Sequence, residues 1–214
     1  MKDPILLATR SPGKLRELRP LFADAGFTVV DLAEAGLAPS AEEDALERYD
    51  TFERNALAKA HYFLARSGLV TVADDSGLEV LALGGAPGVR SKRWSERTDV
   101  GGQALDDANN DKLLRTLTSE ADRRARYVCA AAYADWESAA VQRGETLGLI
   151  VDDGRGAQGF GYDPFFLSDE LGVTFGEATR EAKEVVSHRG RAFRALIASL
   201  VTAVSFIEKR SASR

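Results

Sequence analysis

Cysteine, histidine and methionine are scarce: the 214 residues hold one cysteine, Cys129, two histidines and one methionine. A lone thiol cannot close an internal disulfide, and no Cys/His cluster has the spacing of a zinc site. The expected compartment is the reducing cytoplasm. Long apolar runs are missing too. The run after Met1-Lys2-Asp3-Pro4 stops at Thr9 and Arg10, too short for a signal peptide and without a small-residue cleavage site. Phe193 to Ile207 is the longest greasy stretch, but Arg194, Ser199, Thr202 and Ser205 break it. It reads as an amphipathic helix, short of the roughly 18 uninterrupted apolar residues of a membrane span. No excess of positive charge is present either, since 28 Lys and Arg face 33 Asp and Glu for a net charge of −5. A non-specific nucleic-acid binder is disfavoured, and any phosphate recognition must be local. Neither a nucleic-acid nor a membrane partner is expected.

What the sequence does have is ordinary for a globule: 44% hydrophobic residues and 29% charged. Its length suits one domain, or two lobes sharing a core; the expectation is one two-lobed domain over residues 1–210 and a frayed tail at 211–214. Ile5 to Thr9 reads as a strand. Ser11-Pro12-Gly13 then opens a helix, with Ser11 as N-cap, proline at the first helical position, and Leu15, Leu18, Leu21 and Phe22 at helical spacing. Pro20 is expected to end or kink that helix. Phe27 to Leu32 reads as a strand, 33–45 as an acidic loop, and about Leu46 to Arg66 as a helix. Two further strands, Leu69–Ala73 and Leu78–Leu83, are expected to flank an Asp74-Asp75-Ser76-Gly77 turn. A helix over Asp106–Leu117 precedes two long strands, Arg126–Ala134 and Ala139–Val151, each expected to have one covered face. A short helix near Arg180–Val186 and a last helix from about Arg189 complete the chain. Helices interleave with strands, yet consecutive long strands argue against a purely parallel sheet, so a mixed α/β sheet is the fold expected.

Four places could carry chemistry. Lys14 sits in the first helical turn, where free N–H groups and the helix dipole favour an anion; a solvated lysine is the plain alternative. Asp74 and Asp75 follow an apolar strand, and neighbouring strand residues face opposite ways, so one carboxylate can serve a cation or a proton while the other braces the chain. A hydrogen-bonded turn explains them equally well. Phe160-Gly161-Tyr162-Asp163 places two aromatics and a carboxylate in a glycine-rich loop suited to a flat ring, or to plugging the core. Ser187-His188-Arg189-Gly190, preceded by Lys183, stands at the start of the last helix, with Ser187 able to act as a simple N-cap.

Taken in order, these segments resemble the inosine triphosphate pyrophosphatase family, the XTP/dITP pyrophosphatases. The likeness rests on Leu7-Ala8-Thr9-Arg10-Ser11-Pro12-Gly13-Lys14, on Thr51-Phe52-Glu53-Arg54-Asn55-Ala56-Leu57-Ala58-Lys59-Ala60 and on Ala73-Asp74-Asp75-Ser76-Gly77-Leu78. It continues through Gly84-Gly85-Ala86-Pro87-Gly88 with Ser91-Lys92-Arg93-Trp94-Ser95, then Gly159-Phe160-Gly161-Tyr162-Asp163-Pro164, and Lys183 with Ser187-His188-Arg189-Gly190.

The resemblance implies an elongated mixed sheet with two lobes around a cleft, a homodimer, and Mg²⁺-dependent hydrolysis of ITP, dITP or XTP to monophosphate and pyrophosphate. It implies that Thr9, Arg10, Ser11, Lys14 and Lys59 hold the polyphosphate, that Asp75 accepts the proton, and that Ser76 touches substrate. Phe160, Gly161, Tyr162, Asp163, Lys183, His188 and Arg189 would form the nucleoside pocket. Glu47 and Asp75 would bind the metal, with Glu43 and Glu42 as alternatives to Glu47 because Arg48-Tyr49 stands where the family has Thr-Gly. Ser11 replaces the family's usual asparagine. Two other readings stay open on sequence: a Maf-like pyrophosphatase acting on pyrimidine or modified nucleotides, and a non-catalytic nucleotide sensor.

Overall fold

The structure, a computed structural model, describes residues 3–212. Strand β1 (Ile5–Leu7) lies between β2 (Val29–Asp31) and β3 (Thr71–Val80) and pairs in parallel with both. Parallel neighbours need crossovers, which helices α1 (Pro12–Asp24) and α2 (Phe52–Ser67) supply. The sheet then turns antiparallel through β4 (Arg124–Ala134), β5 (Ala139–Ile150) and β6 (Phe166–Ser168), in the order β2-β1-β3-β4-β5-β6. The mixed α/β sheet is therefore as expected. Helices α3 (Gln103–Leu117), α4 (Arg180–Val186) and α5 (His188–Ala212) complete the chain. Of the expected tail, 211–212 continue α5, and 213–214 lie outside the described residues.

Three apolar clusters hold these layers. Phe52, Ala56, Ala60 and Phe63 of α2 pack on Leu6, Ala73, Val128, Ala130 and Ala132 on one face of the sheet. Leu18 and Phe22 of α1 join Phe193, Leu196 and Ile197 of α5 over Leu7, Val72, Cys129 and Ala131 on the other. In a third cluster, Leu113 and Leu117 of α3 meet Leu78, Val80, Tyr127, Phe166 and Phe175. The long strands β3 and β4 run through all three, which ties the clusters together.

Several expectations are corrected. Asp74-Asp75-Ser76-Gly77 is no turn: β3 is continuous from Thr71 to Val80, because β4 pairs with it residue for residue, Asp74 opposite Ala131 and Asp75 opposite Ala130. The strand stops at Val80, and 81–83 form a single 3₁₀ turn. β4 is covered on both faces, since α2 and α5 sandwich its run Cys129–Ala132; small side chains let both helices approach. Alternation survives in the second half of β5. Helix α2 starts at Phe52, where Thr51 caps it by accepting the Arg54 N–H at 3.3 Å, so Glu47 to Tyr49 lie in the preceding loop. Pro20 does not end α1. Its missing N–H would have bonded the Arg16 carbonyl, and the Arg180 guanidinium donates to that oxygen instead, at 2.7 Å.

Gly144 in β5 sits under the start of α5. A Cβ there would overlap the His188 carbonyl and stand 2.5 Å from the Ala192 nitrogen. Because backbone cannot yield as a flexible side chain does, Gly144→Ala is expected to cost about 1–3 kcal/mol. Urea denaturation of the two proteins checks this; equal midpoints would mean that α5 is not seated on Gly144.

Candidate active site

β1 ends at Leu7 while β3 continues, so past Val72 the edge of β3 has no parallel neighbour. The carboxyl end of β1, beside the middle of β3, is the kind of position where open α/β sheets form a cleft and receive ligands. The chain from β1 turns through Thr9, Arg10 and Ser11 into α1. Thr9 Oγ1 accepts the Ser11 N–H at 3.2 Å, and Ser11 Oγ accepts the Lys14 N–H at 3.4 Å. Ser11 is thus the expected N-cap, leaving the remaining first-turn N–H groups of α1 for an anion. Arg10 turns away to Glu43, with two 2.7 Å bonds.

Alternation along β3 sends its two aspartates to opposite layers. Asp74 lies between α1 and α5, with Lys14 Nζ at 2.9 Å and Arg189 Nε at 3.3 Å. Burial would raise its pKa, but Lys14, Arg189 and Lys59 hold it well below the usual carboxylate range. Lys14 is therefore no solvated surface lysine. Asp75 faces α2, where Asn55 Nδ2 donates to it at 2.8 Å. Asn55 also grips the Tyr49 backbone, accepting its N–H at 2.9 Å and donating to its carbonyl at 3.2 Å. One turn further along α2, Lys59 Nζ meets Glu47 Oε1 at 2.7 Å. Partial burial raises the pKa of Glu47, yet Lys59 and Lys14 bring it down to about 2. For Asp75 the balance tips the other way: burial, reinforced by the charge of Glu47, lifts it to about 6 against the pull of Lys59 and Lys14.

Ionic contacts continue from Arg189 to the loop around Asp163. Arg189 is 3% exposed and donates from Nη2 to Ser76 Oγ at 2.9 Å and from Nη1 to Glu17. Glu17 accepts from Lys183 as well, at 3.3 Å, and Lys183 bonds Asp163 Oδ2 at 2.7 Å. Asp163 in turn accepts the Phe160 N–H at 2.8 Å. The Phe160 ring lies over Gly13, where any Cβ would come within 2.8 Å of ring carbons, and Lys183 and Arg189 sit 5.4 and 5.6 Å from its centroid.

Most residues singled out in the sequence thus gather along one cleft: Thr9, Ser11, Lys14, Glu47, Lys59, Asp75, Ser76, Phe160, Asp163, Lys183 and Arg189. Tyr162 goes instead into the core, its hydroxyl donating to the Ser91 carbonyl at 2.8 Å. His188 is 4% exposed and stacks flat on Tyr127, ring centroids 4.5 Å apart; burial, then Arg189 and Lys183, keep it neutral. Of the alternative acids, Glu43 is held by Arg10 and by the Ser40 capping box, and Glu42 accepts from the Tyr62 hydroxyl at 2.9 Å. Sequence reasoning did not single out Asn55 or Glu17. Both repeat an available signal, a polar side chain one helical turn or less from a lysine on the same face, Asn55 with Lys59 and Glu17 with Lys14.

Fold and site together define a mixed-sheet α/β protein with a buried row of alternating charges that links α1 and the middle of β3 to α4 and α5. Residues 5–199 match the Ham1 family, and the chain belongs to it. It is 46% identical over 202 residues to a Burkholderia pseudomallei protein named dITP/XTP pyrophosphatase, covering 93% of this chain and 94% of that one. A Thermus thermophilus protein of the same name is 46% identical over 198 residues, with 90% and 89% covered. Among solved structures, the Staphylococcus aureus Ham1 protein superposes with a TM-score of 0.80 at 34% identity, covering 94% of this chain and all of that one. A nucleoside-triphosphatase, or dITP/XTP pyrophosphatase, from Mycobacterium abscessus gives 0.70 at 39%, with 91% and 97% covered. No described helix is long and apolar enough to cross a membrane.

Glu17 joins the two buried cations Lys183 and Arg189. Removing one partner of a fully buried pair costs about 3–5 kcal/mol; because Glu17 is 22% exposed, Glu17→Gln is expected to cost about 2 kcal/mol at neutral pH. Burial opposes ionisation of this carboxyl, but Arg189 and Lys183 hold its pKa below the ordinary 4.5. Its contribution is therefore complete above pH 4.5 and fades as pH falls through the lower folded value. Denaturation at pH 7 and pH 4 should show the gap between wild type and variant narrowing in acid; a gap that widens would contradict the pairing.

Proposed function

We propose that this chain hydrolyses non-standard purine nucleoside triphosphates, dITP, ITP and XTP, to the monophosphate and pyrophosphate. The observation that carries this reading is the grouping of the buried Asp75 carboxyl on β3 with Asn55, Lys59 and Glu47, next to the N-terminus of α1 and Lys14. Asn55 donates to Oδ2 of Asp75 and the Ser76 N–H to Oδ1, which fixes the carboxylate while each oxygen keeps a lone pair able to take a proton from an attacking water. The N-terminus of α1, with Thr9, Ser11, Lys14 and Lys59, receives the polyphosphate and takes up charge developing on the leaving pyrophosphate. Water is the nucleophile, so no covalent intermediate on the protein is required.

The donor set suits Mg²⁺, which uses one or two carboxylates and completes its shell with water and phosphate oxygens. Glu47 and Asp75 would hold it; the mutual repulsion that raises Asp75 is what a divalent cation relieves. Bound there, the ion would neutralise phosphate oxygens.

At the other end, Phe160 offers a face for the base. Arg189 has five N–H donors, of which its protein partners occupy three, and Lys183 retains one of three. Spare donors suit the 6-oxo group of hypoxanthine or xanthine. Adenine's amino group would meet a donor with a donor, at a cost of about 1–3 kcal/mol.

Pyrophosphate release from a panel of ITP, XTP, dITP, ATP, GTP, TTP and UTP tests the reading; TTP or UTP as the best substrate would overturn it. Asp75→Asn, near in shape but unable to accept the proton, is expected to lower kcat by about 10²- to 10⁴-fold. More than a tenth of wild-type kcat in that variant would remove Asp75 from the chemistry. Glu47→Gln should raise the Mg²⁺ concentration giving half-maximal rate, and Glu43→Gln should leave it unchanged, since Glu43 serves Arg10 and Ser40. A shift in Glu43→Gln alone would reverse the assignment.

A further inference from the structure

Helix α3 carries an unusual inward face. Asn109 and Asn110 are 2% and 5% exposed, and Asp106 stands one turn before Asn110 on the same side. Buried polar side chains on a helix need a reason, and here each is spent on the backbone of a cleft loop. Asn109 accepts the Ser95 N–H at 2.7 Å and donates to the Lys92 carbonyl at 3.1 Å. Asp106 accepts the Gly161 N–H at 2.9 Å, and Asn110 Nδ2 donates to the Gly161 carbonyl at 3.0 Å.

The last two bonds form a clamp with a definite mechanical effect. Gly161 has φ of +63° and lacks the Cβ that would restrict it, so its own chemistry leaves both soft torsions free. Asp106 holds the peptide before φ, and Asn110 holds the peptide after ψ. Between them they select one conformation of a residue that could take several. That choice orients Phe160, the preceding residue, whose ring lies on Gly13.

We propose that Asp106 and Asn110 are positioning residues for base recognition: by fixing both peptides of Gly161 they hold Phe160 as a preformed platform for the purine. The proposal deepens the nucleotide-hydrolase reading and rests on it. Neither residue lies on the elements that carry Lys14, Lys59, Glu47 or Asp75 or bonds to any of them, so those side chains keep their own partners when the clamp is lost. A platform that must be ordered at each binding event weakens binding and leaves turnover of the bound substrate intact.

The test compares wild type with Asp106→Ala, Asp106→Asn and Asn110→Ala, measuring KM and kcat for ITP and ATP well below each protein's Tm. One hydrogen bond to a charged acceptor corresponds to a rise in KM for ITP of about tenfold or more in Asp106→Ala, with kcat nearly constant. Asp106→Asn keeps an acceptor oxygen for the Gly161 N–H and should restore KM to near the wild-type value. Asn110→Ala should act like Asp106→Ala and carries the test alone should the latter not fold. In both alanine variants the ITP-to-ATP ratio of kcat/KM should shrink. Unchanged KM in the alanine variants, a loss confined to kcat, or failure of Asp106→Asn to rescue would overturn the clamp while wild-type turnover of ITP leaves the enzyme reading standing. Absence of ITP turnover in the wild type would overturn that reading, and this one with it.

Discussion

A buried row of alternating charge constrains everything else in this protein. Lys14, Asp74, Arg189, Glu17, Lys183 and Asp163 follow one another through contacts of about 3 Å, cation next to anion, with Asp74, Lys183, Arg189 and Asp163 almost removed from solvent. No single pair would justify its desolvation, because taking charges out of water costs more than one partner usually returns. Each member between the two ends has two charged partners, and Asp163 at one end accepts a backbone N–H besides, so the row is tolerated as a unit. It fixes where α1, β3, α4 and the start of α5 must sit relative to one another, and the fold is arranged to bring them there.

β3 divides the work. Its even-numbered residues Asp74 and Ser76 belong to this row, while Asp75 turns to α2, where Asn55 and Lys59 attend it and Glu47. Two neighbouring aspartates consequently meet opposite fields: three cations act on the first, and burial with a second carboxylate prevails on the other. Chemistry and architecture are separated by the alternation of a single strand.

Much of this could be read in advance, and the exceptions have physical causes. The short helix Arg180–Val186, the long hairpin of β4 and β5 and the proline-opened α1 follow from local spacing and capping, which act within a few residues. Asp74-Asp75-Ser76-Gly77 has turn composition but forms strand, because the ladder with β4 and the charges around Asp74 come from residues more than 50 positions away. Pro20 misled for the same reason: its remedy, Arg180, is 164 residues from the carbonyl it serves. Lys14, Lys59, Asp75, Lys183 and Arg189 were recognisable as residue types within motifs. Glu17 and Asn55 leave in the sequence only their helical spacing from a lysine, and Asp106 and Asn110 matter through what they hold, of which a one-dimensional reading carries no record.

The separation of Glu17 from Arg189 by 172 positions bears on how the molecule comes into being. While the chain is being synthesised, β1, α1 and β3 emerge long before Lys183 and Arg189, so Glu17 has neither of its counter-charges, and Asp74 has only Lys14, until residues 183–189 appear. Loop closure over that distance forms late, after the local helices and the β4–β5 hairpin. The end of the cleft held by Lys183 and Arg189 is thus the final part to assemble, and a nascent chain halted before α4 would have all six strands but neither of those cations.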